Sequence, residues 1–78
     1  MSINEFIKKF QSEIENQNVI IEPETEYSTE SYWDSLTAMV INVMIEDNYS
    51  IYIEPEEITA LKNIKALYSY IIEKQNSK

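Results

Sequence analysis

The sequence predicts an all-α fold, a four-helix bundle with three main helices, one short helix and a long first loop. Apolar residues recur at spacings of three and four in three separate stretches, which is the period of an amphipathic helix. A residue type that commonly caps helices precedes each stretch. The one run that alternates like a strand is short and has a poor partner. At 78 residues, the chain is expected to form a single domain over residues 1–78.

Composition narrows the classes of function. The net charge is −8 and every positive charge is a lysine, which argues against nucleic acid and against an anionic membrane surface as partners. Histidine and cysteine are absent, so the usual general base, thiolate metal sites and disulfides are excluded. No apolar run approaches the roughly 18 residues of a membrane span. We expect a cytoplasmic, monomeric protein that is not an enzyme and works through contacts with other proteins.

The first helix is signalled by Ser2 and Glu5, whose spacing is that of a capping box. The turn-favouring sequence Asn-Gln-Asn predicts that it ends near Asn16 to Asn18. Its apolar stripe is formed by Ile3, Phe6, Ile7, Phe10 and Ile14.

A long loop, from residue 18 to 34, follows. Pro23 interrupts any helix, and apolar residues at both ends (Val19 to Ile21, then Tyr27, Tyr32 and Trp33) predict an ordered but irregular segment pinned against the core. Glu22, Glu24 and Glu26 are interpreted as solvated rather than as a calcium site, because an EF-hand loop needs a glycine at its sharp turn and the chain has none.

The second helix is predicted to begin at Asp34 or Ser35, either of which can cap it, and to end near Asp47-Asn48. Ile41 and Ile45 lie off its main stripe. They either mark an exposed partner site or widen the buried face. The predicted inward stripe is Leu36, Met39, Val40, Val43 and Met44.

The rest of the chain is predicted to hold an extended connector at 49–53 and two helices. The short one opens at Glu54-Pro55, because proline suits a first helical position, and it cannot be long because it holds only Ile58 and Leu61. The last begins near Asn63, a good cap, and the tail from Gln75 to Lys78 should fray. Its stripe is Ile64, Leu67, Tyr68, Ile71 and Ile72.

Ser35 is the residue whose position suggests chemistry. A serine at a helix start is exposed, and a phosphate ester on it is favoured by the helix dipole and by unsatisfied backbone N–H groups. It has no local base, so another enzyme must activate it. The simpler interpretation is an ordinary N-cap.

Around this serine the sequence resembles the acyl carrier proteins. Their mark is Asp-Ser-Leu at the start of the second helix after a long first loop, here Asp34-Ser35-Leu36. The resemblance spans nearly the whole chain. Residues 40–47 resemble the family's second helix with its acidic end, residues 51–58 its isoleucine-rich connector and short acidic third helix, and residues 63–71 its capped fourth helix.

The resemblance implies that Ser35 accepts 4'-phosphopantetheine from coenzyme A, transferred by a phosphopantetheinyl transferase. Asp34 would assist that enzyme and its metal, while the chain itself has no metal site. The terminal thiol of the cofactor would carry acyl or aminoacyl groups as thioesters between acyl-activating and acyl-transfer enzymes. An imported thiol fits a chain that lacks cysteine.

Three departures from the family pattern put the pathway in doubt. Tyr32-Trp33 replace the usual glycine. Trp33 either anchors the loop in the core or contacts the cofactor, as Leu36 is expected to do. Tyr49-Ser50 replace an aromatic-glycine pair, which predicts a different turn. The expected docking surface is unusually apolar, and this points to secondary metabolism or to polysaccharide or lipid acylation. Its candidate residues are Thr37, Ile41, Ile45, Glu46, Asp47, Glu54, Glu56 and Glu57.

The alternative function is a cofactor-free module: a small acidic helical adaptor for protein–protein interaction, in which Ser35 is only a helix cap.

Overall fold

The all-α prediction is confirmed in the computed structural model, which describes residues 2–14 and 18–77. Three long helices and one short helix lie in these ranges, and no strand is found among them. The helices α1 and α2 pack together, α2 packs on α3, and α1 on α4. No helix in the described part of the chain is both long and apolar enough to cross a bilayer. The helices are α1 (Ile3–Glu13), α2 (Ser35–Tyr49), α3 (Pro55–Ala60) and α4 (Ile64–Asn76).

Helix α1 begins as predicted but ends early. The Ser2 hydroxyl accepts a hydrogen bond from the Glu5 N–H at 3.3 Å, and Phe6 and Phe10 are fully buried. The helix stops at Glu13 because Ile14 takes up an extended backbone, which turns its side chain into the core. Residues 15–17, part of the expected terminus, lie outside the described residues.

The long loop is ordered and irregular, as predicted, apart from one 3₁₀ turn at Tyr27–Thr29. Ile21 and Tyr27 are buried, whereas Ile20 is 77% exposed and does not help to pin the loop. The loop also supplies hydrogen-bond acceptors to the first turn of helix α4. The first-turn N–H groups of Ile64 and Lys65 donate to the carbonyls of Thr25 and Pro23, at 3.1 and 2.8 Å. These donors have no partner within their own helix, so the loop and α4 stabilise each other.

The inward stripe predicted for α2 was wrong at three of its five residues, while Met44 is buried as predicted and Val40 is half-buried. Leu36, Met39 and Val43 are 69, 56 and 53% exposed. Both faces of this helix are apolar, so spacing alone could not choose between them. At the C-terminal end of α2, the buried face includes Tyr49, whereas Glu46 and Asp47 are exposed. The buried residues are Ala38, Ile41, Asn42, Met44, Ile45 and Tyr49.

Ile41 and Ile45 lie on the buried face of α2. Both are 0% exposed, so they widen the buried face and cannot belong to a docking surface. A charged substitution at Ile41 would therefore unfold the protein rather than report on docking.

The second half of the chain follows the predictions closely. Residues 51–54 form no helix or strand, and Ile51 and Ile53 are buried while Tyr52 is exposed, which is the alternation of an extended chain. The predicted connector at 49–53 begins too early, because α2 runs through Tyr49. Pro55 opens α3. The Asn63 side chain accepts from the Ala66 N–H at 2.9 Å and caps α4. The tail prediction was wrong up to Asn76, because the Gln75 side chain donates to the Tyr49 carbonyl at 3.0 Å and holds the last turn. Lys78 lies outside the described residues.

The turn after α2 has the geometry that a glycine would give it. Ser50 has φ 58° and ψ 33°, which is the left-handed conformation, and its N–H donates to the Glu46 carbonyl at 3.0 Å. The expected difference in turn geometry was therefore wrong. A residue with a Cβ is less stable in this conformation by about 1–2 kcal/mol.

We predict that Ser50→Gly stabilises the protein by up to about 1 kcal/mol, because removing the Cβ strain outweighs the added freedom of the unfolded chain. Urea unfolding measures this. Ser50→Ala is the matched control, since it keeps the Cβ and should give no gain. A glycine variant no more stable than the alanine variant would contradict the prediction.

Candidate functional site at the start of helix α2

Ser35 is the first residue of α2, and it is exposed. The cap itself is Asp34, whose backbone is extended and whose carboxylate accepts a hydrogen bond from the Thr37 N–H at 2.8 Å. The sequence left open which of the two residues caps the helix, and the structure gives that role to Asp34. Ser35 thus does not cap the helix, and it is exposed at the first position of α2.

Asp34 keeps a negative charge beside Ser35. Its carboxylate accepts a hydrogen bond from the Thr37 backbone N–H, and this bond is the main cause that lowers its pKa from the ordinary value of 3.8.

A groove of about 440 Å³ begins at Ser35 and lies between α2 and α3. One wall comes from the first turns of α2, and the other from α3. Its lining is partly apolar, with one carboxylate. The lining residues are Ser35, Ala38, Met39, Pro55, Glu56 and Thr59.

Trp33 anchors the loop in the core, which is one of the two roles that the sequence left open for it. Its ring is stacked on Phe10 at 6.1 Å between centroids and is tilted against Tyr27 at 4.7 Å. Its indole N–H donates to the Thr59 hydroxyl on α3 at 3.1 Å. The loop is therefore fixed to α1 and α3 one residue before Asp34.

Tyr27 makes a second tie between the loop and α3. Its ring is fully buried, and its hydroxyl donates to the Ile58 carbonyl. Burial raises the pKa of the Tyr27 phenol above its ordinary range, so the hydroxyl remains a donor. Together, Tyr27 and Trp33 hold the start of α2 beside α3, and this produces the groove.

The candidate docking residues differ in their exposure and in their hydrogen bonds. Thr37 is half-buried, and its hydroxyl donates to the Tyr32 carbonyl at 3.1 Å. Glu57 accepts from the Tyr70 hydroxyl at 2.6 Å, and that bond raises the pKa of Tyr70. Ile41 and Ile45 are in the core. The remaining candidates, all exposed, are Glu46, Asp47, Glu54 and Glu56.

The surface that the sequence analysis missed is the exposed side of α2, called here the apolar face: Leu36, Met39 and Val43. Together with Val40 and the carboxylate-bearing Glu13 of α1, these residues line a shallow hollow of about 270 Å³. In the sequence, α2 has two apolar stripes at spacings of three and four, and the apolar face is one of them. That stripe was assigned to the core instead.

The glutamates of the long loop, Glu22, Glu24 and Glu26, are exposed. Within residues 2–14 and 18–77, no group of three or more carboxylates is placed to hold a metal ion. No family model, curated protein or solved structure matches this chain.

We predict that the Asp34 cap makes stability depend on pH. Because folding lowers this pKa, the charged cap stabilises the protein above 3.8, and that contribution is lost as the pH falls through the folded-state pKa. Asp34→Asn keeps a capping acceptor without the charge. Thermal unfolding should show a lower midpoint for Asp34→Asn at neutral pH, with the difference closing in acid.

Asp34→Ala is the control for this prediction, since it removes the acceptor itself and should remain less stable than Asp34→Asn at every pH. A difference between wild type and Asp34→Asn that is independent of pH would contradict the role of the charge.

Proposed function

We propose that this protein is a carrier of the acyl carrier protein type, with Ser35 as the attachment site of 4'-phosphopantetheine. The observation that carries the proposal is an exposed, non-capping serine at the first position of α2, at the mouth of a groove, within the sequence Asp34-Ser35-Leu36. All-helical architecture with a long ordered first loop is compatible with this role.

The modification would join the Ser35 oxygen to the phosphorus of the pantetheine phosphate. The hydroxyl proton goes to a base of the phosphopantetheinyl transferase, and the nucleotide part of coenzyme A leaves. The new phosphodiester lies at the positive end of the α2 dipole, which favours its charge. When bound, the cofactor supplies the thiol on which acyl or aminoacyl groups are carried as thioesters.

This chain's own residues would position the cofactor and present it. Trp33 and Tyr27 fix the helix start, and the α2–α3 groove offers a surface along which the cofactor can lie. The apolar face is adjacent to Ser35 through Leu36, and Glu13 and Glu46 place carboxylates at its margin. This combination suits partners with an apolar docking patch edged by basic side chains.

The partners we propose are the transferase and the acyl-activating and acyl-transfer enzymes of a specialised pathway, in secondary metabolism or in polysaccharide or lipid acylation. The apolar docking surface supports this choice. We assign this docking surface to Leu36, Met39 and Val43 instead of Ile41 and Ile45.

The same apolar face also favours the second candidate, a cofactor-free acidic adaptor. Three exposed large apolar side chains on one helix are typical of a surface that meets another protein. The two functions differ at Ser35, because an adaptor has no need of a modified serine.

We predict that incubation with coenzyme A, magnesium and a broad-specificity phosphopantetheinyl transferase adds the mass of one phosphopantetheine group. Intact-protein mass spectrometry measures this gain. Ser35→Ala is the matched control and should gain nothing while remaining folded, because Ser35 is exposed. An unchanged mass of the wild-type protein with several such transferases would favour the adaptor.

We predict that making the apolar face polar slows this modification. The double variant Met39→Gln, Val43→Thr nearly preserves shape and adds no charge, and it should reduce kcat/KM of the transferase about tenfold, which corresponds to about 1.4 kcal/mol of lost docking energy. Ile20→Thr is the control, since Ile20 is exposed but lies outside the apolar face. Equal rates for the double variant and the control would contradict docking on this face.

A further inference from the structure

Asn42 is an exception in the core of this protein. It is 9% exposed, and it is the one buried polar side chain other than tyrosine in the described ranges. Its Oδ1 atom is buried without a hydrogen-bond partner, as are the hydroxyl oxygens of Tyr32 and Tyr49. A buried acceptor without a donor destabilises a fold, and such atoms are uncommon enough in native proteins to require an explanation.

The position of Asn42 on α2 relates it to the groove. It follows Ala38 by four residues and Met39 by three, so it lies on their side of the helix, one turn farther from Ser35. Ala38 and Met39 line the groove. Seven residues of helix separate Asn42 from Ser35, a rise of about 10 Å. Asn42 thus lies beyond the inner end of the groove, in line with it.

The buried side chains nearest to Asn42 along α2 are apolar. Its neighbours on the buried face of α2 are Ala38, Ile41 and Ile45, and the buried residue of the facing helix α3 is Ile58. None of these side chains can donate a hydrogen bond. An apolar residue at position 42 would fill the same volume without the penalty.

We propose that Asn42 is the polar subsite of a cleft that opens between α2 and α3, and that its ligand is a hydroxylated acyl chain carried on the protein. The proposal rests on the carrier function argued above. Oδ1 accepts a hydrogen bond from the chain's hydroxyl, while the methylene groups lie against the apolar sides of the cleft. A plain alkyl chain of equal length leaves Oδ1 without a donor.

The neutrality of the site selects among possible donors. No carboxylate is buried in the described ranges, and the nearest one along α2, Glu46, is exposed. An ammonium group entering the interior would therefore lose its hydration without a buried opposite charge. A hydroxyl gives Oδ1 one donor and brings no charge. The subsite therefore favours hydroxyacyl groups over aminoacyl groups.

The direct test compares loads that differ only by a hydroxyl. The transferase attaches octanoyl-phosphopantetheine, or the same chain hydroxylated at carbon 3, 6 or 8, to Ser35, and mass spectrometry confirms each load. At least one hydroxylated load should raise the thermal unfolding midpoint above that of the octanoyl form by about 4 °C or more, the effect expected of one added hydrogen bond in a domain of this size. The Asn42 side-chain amide should shift in ¹⁵N NMR spectra for that load.

Asn42→Leu supplies the matched comparison. Without a load it should unfold at a higher temperature than wild type, and the difference between the hydroxylated and plain loads should vanish. Asn48→Leu, an exposed position on the same helix, should leave that difference unchanged. Equal midpoints for all loads in wild type, a hydroxyl effect that persists in Asn42→Leu, or an unloaded Asn42→Leu less stable than wild type would each overturn the proposal.

Failure of the carrier function is seen separately, as an unchanged mass before any load is compared. In that case the subsite is tested on the unmodified protein by titration with free 1-hexanol and with methyl pentyl ether, which has the same number of heavy atoms but no donor. Binding of the alcohol up to about tenfold tighter, lost in Asn42→Leu, supports the subsite. Equal binding of both probes, or of neither, overturns it.

Discussion

The attachment of the long loop to α1 and α3 through Tyr27 and Trp33 is the constraint on which the rest of the structure depends. Tyr27 lies fully inside the core and reaches the backbone of α3, while Trp33 stacks on Phe10 of α1 and bonds to Thr59 of α3. Two aromatic anchors within seven residues leave the next residue, Asp34, little freedom. Contacts of the loop with α1 and α3 therefore fix the start of α2, in addition to the hydrogen bond that Asp34 accepts as its cap.

Different sides of α2 have different roles. One side of the helix fills the core with Ile41 and Ile45, the opposite side leaves Leu36 and Met39 in water, and the first turn presents Ser35. Three features of the protein oppose stability: the exposed apolar face, the left-handed backbone of Ser50 and the unpartnered amide oxygen of Asn42. Features that reduce stability without local compensation are expected where a protein binds something, and here two of the three lie on the helix that bears Ser35.

Sequence reasoning succeeded where a local chemical rule decides the structure. Ser2, Pro55 and Asn63 lie at the helix starts that their capping or backbone properties predict. It failed where a choice depends on what packs against an element. The stripe through Leu36 and the stripe through Ile41 obey the same period, and only the positions of α1 and α3 decide which is buried. The groove could not be predicted at all, because Pro55 and Thr59 meet Ser35 only through the packing of α3 on α2.

The proposal that Ser35 carries a covalent phosphopantetheine in the living cell is tested most directly by peptide mapping of the protein purified from its own source. Tandem mass spectrometry of the peptide that contains Ser35 should show a phosphopantetheine linked to that side chain in growing cells. A fully recovered peptide that is unmodified at Ser35, from cells whose other carrier proteins are modified, would contradict the account.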